Sequence, residues 1–256
     1  MKDEHLTPPV HALLATWLLA AGLAAPSYSA EVVVGKDNEI FGTAEAAEMV
    51  RQARQSDPSY SRDANLEKAI ELYEKAIELQ AGAKINAVLA SRIAQIYAYT
   101  TWPGTEWRTR WAKAIVWWRR CIQATSPRQL LWVHAQMGLG STTFLARKPD
   151  EAVAAFEAVL AADPERMELP DWKVWRDPST ERGQRERQEE LARIRSDAQR
   201  ARIVAVEKIH YVMMRADRKA AAGALLKVAR QYEGTPVGQR AAELADQALK
   251  ATSHEF

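Results

Sequence analysis

The chain has 256 residues, of which 47% are hydrophobic, and 35 Lys and Arg face 33 Asp and Glu. That length and apolar content supply an ordinary globular core. A net charge of +2 gives no global field of the kind that draws nucleic acid or an acidic membrane. With only 11 Gly and 11 Pro, much Ala, Leu, Glu, Arg and Gln, and no long alternating β-branched run, the composition points to helix and away from sheet.

The first thirty residues stand apart. Val10 to Ala25 is an apolar run carrying Leu13, Leu14, Trp17, Leu18, Leu19 and Leu23, followed by Pro26-Ser27-Tyr28-Ser29-Ala30. This resembles a secretory signal peptide over residues 1–29, with small residues placed for cleavage near Ser29/Ala30. The expected location is therefore periplasmic or secreted. The alternative is an uncleaved anchor in the inner membrane, for which the run is short against the ~20 residues of a span. Residues 30–42 read as an extended leader.

From there the pattern is a train of helices. Thr43 caps a helix to about Gln55, which Asp57-Pro58-Ser59 ends. Asn65 opens a second, with inner face Leu66, Ala69, Ile70, Tyr73, Ala76 and Ile77, and Gly82 past its end. Ile85 to Thr100 is a third, and Thr101 to Thr105 a turn that includes Trp102. Trp107 to Ala124 follows. Ser126-Pro127 is expected to start the next helix, with proline at its first position, to about Ala146. Pro149 starts another, ending at Ala162. Residues 165–180 form a loop whose Trp172 and Trp175 are expected to fold back onto the helices. Thr180 caps a long helix, Glu181 to Arg215, with Glu181–Arg185 and Glu189–Arg193 as expected pairs. Its second half carries the stripe Leu191, Ile194, Ala198, Ala201, Ala205, Ile209 and Val212. Arg218–Tyr232 and Pro236–Ala251 complete residues 181–256.

One spacing recurs: Ala69/Tyr73/Ala76, Ala114/Trp118/Cys121 and Ala152/Phe156/Val159 each place a small residue, an aromatic and another small or branched residue on one helical face. Ile93-Ala94 with Tyr97, and Leu139-Gly140 with Thr143, precede two of these copies. The pattern resembles the tetratricopeptide repeat, two antiparallel helices in ~34 residues. The intervals from Ala69 to Ala114 to Ala152 are longer than that. The resemblance covers residues 43–164 and implies an all-α, right-handed α-solenoid of antiparallel helix pairs, with a long C-terminal helix and a final helical pair. Ala221 to Leu249 resembles the degenerate repeats of bacterial envelope assembly proteins.

In that family the first helices line a groove that takes a peptide. The matching positions here are Gln95, Tyr99, His134, Met137 and Ser141. The resemblance thus implies a noncatalytic protein–protein interaction scaffold whose partner is a protein segment. The Lys/Arg/Asn clamp that some members use for a terminal carboxylate is replaced by Ser91, Gln95, His134 and Gly138. The same groove residues could instead be solvated or packed against the long C-terminal helix.

A second function class rests on the Trp/Arg stretch. Trp102 and Trp117 with Arg108, Arg110 and Arg120 suit an aromatic and basic surface for glycan or cell wall, Trp117 being the candidate for exposure. Against it, Trp107, Trp111 and Trp118 recur at helical spacing, as core does. The stripe at 191–212 similarly allows either docking within the chain or a homodimer. Cys121, at a small packing position, reads as a buried thiol. The scattered histidines and the lone Gly138–Thr143 run support neither a metal site nor a phosphate loop. No cofactor, metal or catalytic residue is expected.

Overall fold

The computed structural model describes residues 43–253, apart from residue 63 and segments 80–82, 101–105 and 173–174. The expected signal segment, the leader and the turn at Trp102 lie outside the described residues. Among the described residues there are nine α-helices and no strand: α1 (Ala44–Ser56), α2 (Leu66–Glu78), α3 (Ala83–Tyr99), α4 (Trp107–Gln123), α5 (Leu130–Leu145), α6 (Pro149–Ala161), α7 (Glu181–Ala216), α8 (Arg218–Gln231) and α9 (Pro236–Ser253). All fall in one unit, Asn38–Phe256. None of them is long and apolar enough to cross a membrane.

The helix starts follow local chemistry. Thr43, Asn65, Thr180 and Asp217 each accept a backbone N–H from their own first turn, which satisfies a donor the helix cannot. Pro149 occupies the first turn of α6, where its missing N–H costs nothing. The expected start at Ser126-Pro127 is corrected: α5 begins at Leu130. Gln129 N–H closes a turn onto the Ser126 carbonyl at 2.9 Å, and the Arg128 carbonyl accepts Glu168 N–H at 2.8 Å, so neither joins a helical ladder.

Each helix packs on its neighbour in sequence, most closely as α1/α2, α3/α4, α5/α6 and α8/α9. Alternate helices also meet, α3 with α5 and α5 with α7. The core of this train is the recurring aromatic set. Tyr73, Trp118 and Phe156 are all at most 2% exposed, and Ala69, Ala76, Ala114, Cys121, Ala152 and Val159 around them are fully buried. The rings face residues without bulk. A Cβ at Gly138 would stand 2.5 Å from the Trp118 ring, and one at Gly140 would stand 2.6 Å from Phe156. Gly138 therefore joins α5 to α4, and Gly140 joins α5 to α6. Trp118 Nε1 also donates to Thr142 Oγ1 at 3.2 Å, so the one polar atom of the ring is satisfied. Losing a buried ring of this size costs ~3–5 kcal/mol. An exposed ion pair such as Lys75–Glu71 is worth ~0–1 kcal/mol, so the rings dominate.

The long helix belongs to the same body. Ile194, Ala198, Ala201, Ala205, Ile209 and Val212 are buried and Leu191 half-buried, against α5, α6, α8 and α9 of the same chain. The stripe therefore docks within the chain, the first of its two expected roles. Arg202 Nε and Tyr232 Oη both donate to the Leu160 carbonyl, at 3.1 and 2.9 Å, fastening α7 and α8 to the end of α6. Of the expected surface pairs, Glu181–Arg185 forms at 3.1 Å. Arg193 instead pairs with Glu190 and Asp197, each at 2.8 Å; both acids lie one turn from it on the same face. Trp172 and Trp175 are half-buried.

The ring contacts give a first prediction. Gly138→Ala overpacks Trp118 and lowers unfolding free energy by ~1–3 kcal/mol, measured by urea denaturation. Ala substitution at Gly223, where an added Cβ meets nothing within 4 Å, stabilises or changes nothing because helix propensity favours Ala.

Candidate functional site

The face of α3 that carries Arg92, Gln95 and Tyr99, at helical steps of three and four, sits beside α5. Tyr99 keeps 47% of its surface. Burial pushes the phenol up to about 12, with the side chains of Thr142 and Ser141 opposing. Tyr99 and Ser141, from successive groove positions, are thus brought together. Gln95 is half-buried one turn earlier, and its Oε1 accepts Arg92 Nη1 at 3.0 Å. Because Arg only donates, this bond orients the amide with Nε2, a donor, directed elsewhere.

The other two groove positions differ. Met137 is 5% exposed and belongs to the core, which corrects its assignment to the groove; it lies next to Gly138, where α5 meets the Trp118 ring. His134 is half-buried, near charges of α7. Burial pushes its imidazole down to about 4, with Asp197 of α7 opposing and Arg193 of α7 assisting. The surface that remains runs along Gln95, Tyr99 and Ser141 and ends where α7 covers α5.

The Trp/Arg stretch resolves into packing. Trp111 and Trp118 are buried, and Trp117, expected on the surface, is only 8% exposed, with the Arg120 guanidinium 4.4 Å from its ring centroid. Trp102 is outside the described residues. Arg108 is exposed over the Trp107 ring at 4.8 Å. Arg110 is not free surface charge: its Nη1 donates to the Thr100 carbonyl just past α3, where a cation suits the helix end, and burial lowers its pKa. The helix α4 holds five cations and no acid, but acidic neighbours flank it. Arg119 pairs with Glu151 of α6 at 2.8 Å. Glu74 of α2 has its pKa raised by burial, against the opposing fields of Arg120 and Lys113. Cys121 is a buried thiol pushed up to about 12 by that burial, far from thiolate reactivity.

One site was missed in the sequence. Asp57 is fully buried. It receives Arg92 Nε at 2.6 Å and Arg92 Nη2 on its two oxygens, Tyr73 Oη at 2.9 Å and Ser59 N–H at 2.9 Å. The Tyr73 phenol is raised by burial first and by Asp57 next. The segment reads as a helix breaker, and nothing local links it to Arg92, 35 residues away. The available signal was Tyr73, an aromatic at a core position whose hydroxyl needs a partner.

No group of three or more His, Cys, Asp or Glu placed to hold a metal occurs among the described residues. Comparison with protein-family models and with curated proteins finds no match.

Two predictions follow from these environments. His134 is held neutral in the folded chain while the unfolded chain gains a proton below about 6.5, so its contribution is complete above that pH. It is lost progressively as pH falls from about 6.5 to about 4. In urea denaturation at about pH 7 and about pH 5, His134→Gln loses less stability between the two than the parent. Separately, Asp57→Ala leaves Arg92 unpaired and costs roughly 2–4 kcal/mol, below a fully enclosed pair because Arg92 keeps some solvent. The double change Asp57→Ala/Arg92→Leu recovers part of that loss.

Proposed function

We propose that the chain is a noncatalytic adaptor of the bacterial periplasm or cell envelope, built as a tetratricopeptide-type solenoid, that holds a protein segment along Gln95, Tyr99 and Ser141. The observation that carries this reading is the convergence of Tyr99 with Ser141 and Thr142 between α3 and α5. It places an exposed ring close to the half-buried Ser141. An amphipathic ring beside polar groups suits peptide contact, because it offers area at low entropic cost. The serial packing of helix pairs and the three aromatic–small sets support the solenoid reading. The apolar run before Pro26 supports export. A glycan site around α4 is the weaker reading, because Trp117 is packed inside together with Trp111 and Trp118.

The test is site-specific photocrosslinking in intact cells from position 99, with position 116 as control; Val116 is 49% exposed on α4. The adaptor reading expects a defined protein adduct from 99 and not from 116, and roughly tenfold weaker capture by a Ser141→Arg variant of unchanged helicity. Identical adducts from both positions, or capture indifferent to Ser141→Arg, would contradict it.

A further inference from the structure

Arg92 shares its face with Gln95 and Tyr99, yet its charge is spent inside the protein. Nε and Nη2 bind the two oxygens of Asp57, Nη2 also donates to Ser59 Oγ at 2.5 Å, and Nη1 donates to Gln95 at 3.0 Å. Four of the five guanidinium N–H groups are therefore committed. Tyr60 stands beside the same guanidinium, 5.9 Å from its ring centroid. The Asp57 side chain has no exposed surface, while that of Arg92 keeps 18%. A two-point carboxylate contact is the geometry that a guanidinium would otherwise offer to an acidic ligand.

We infer that Asp57 is a specificity-determining residue: its carboxylate occupies the Arg92 fork in place of a ligand carboxylate, so the Gln95–Tyr99–Ser141 surface accepts an uncharged hydrogen-bond acceptor, such as a main-chain carbonyl, and refuses acidic groups. This rests on the proposed groove. Asp57 acts through Arg92, and so does the orientation of Gln95: with Oε1 held by Arg92, the amide presents N–H donors. An acidic segment arriving here meets a neutral pair, loses hydration and gains no charge-assisted bond.

The experiment uses the full chain, isotope-labelled, with acetate as the carboxylate probe and N-methylacetamide as the peptide-carbonyl probe. Side-chain resonances of Arg92 Nε–H and of the Gln95 amide are followed. In the parent, N-methylacetamide moves the Gln95 amide and acetate moves neither signal. In Asp57→Asn, acetate moves the Arg92 Nε–H signal and binds roughly tenfold or more tighter than to the parent, the difference expected of a charge-assisted pair. Acetate that moves Arg92 Nε–H equally in both proteins overturns the inference. So does a folded Asp57→Asn with no gain, or a Gln95 amide blind to N-methylacetamide. Should Asp57→Asn lose its helical circular dichroism, Ser59→Ala serves in its place: it removes one bond, retains the carboxylate and must stay indifferent to acetate, and a response there overturns the inference. Failure of the crosslinking test above bears on the adaptor reading, whereas the acetate response bears on Asp57 alone.

Discussion

A large ring pressed against a residue with no side chain is the contact on which the rest of the helix train depends. Trp118 lies over Gly138 and Phe156 over Gly140, two positions apart on α5. One helix is thereby held by α4 through one glycine and by α6 through the other. Glycine inside a helix costs ~1 kcal/mol against alanine, but it lets the ring approach the helix closely, and burying such a ring returns more than that cost. The third ring, Tyr73, solves the same packing problem with a polar twist, because its hydroxyl ends on Asp57. Since Asp57 also holds Arg92, the first helix pair is tied to the second through charge as well as volume.

The polar contacts fix angles that apolar packing leaves loose. The Asp57–Arg92 pair joins the turn after α1 to α3, Arg110 meets the carbonyl just past α3, and Arg202 with Tyr232 meets the last turn of α6. The carbonyls of Thr100 and Leu160 are helix-end acceptors that these bonds satisfy. The first two of these contacts hold α3 to its neighbours in sequence, and α3 also meets α5, with Tyr99 near Ser141 and Thr142. On the other side α7 packs on α5, with Asp197 and Arg193 near His134. The proposed binding surface is therefore bounded: the charge pin lies toward one end and the long helix at the other.

Much of the architecture was legible. The small–aromatic–small spacing, the Thr43, Asn65 and Thr180 caps and the Pro149 start are local signals, and a local cause yields a local structure. What escaped was determined by partners remote in sequence. The start of α5 moved to Leu130 because Glu168, forty residues on, takes the Arg128 carbonyl. Trp117 and Met137 were misplaced because helical phase alone cannot say how wide a buried face is, and α4 and α5 are covered on more than one side. Asp57 was read as punctuation because a buried carboxylate reveals itself only with its arginine beside it. Gln95, Tyr99, His134 and Ser141 came from the resemblance, and all four keep some surface; that α7 packs on α5 beside His134 was not legible locally.

Ring-on-glycine coupling is tested most directly by a double-mutant cycle on Gly138→Ala and Trp118→Leu, read as unfolding free energies in urea. If the ring needs the missing side chain, replacing Trp118 makes room for the new methyl. The two effects are then non-additive, the double variant being more stable than their sum by ~1–3 kcal/mol. Additivity within about 0.5 kcal/mol would show that Trp118 and Gly138 do not depend on each other, and the central packing claim would fail.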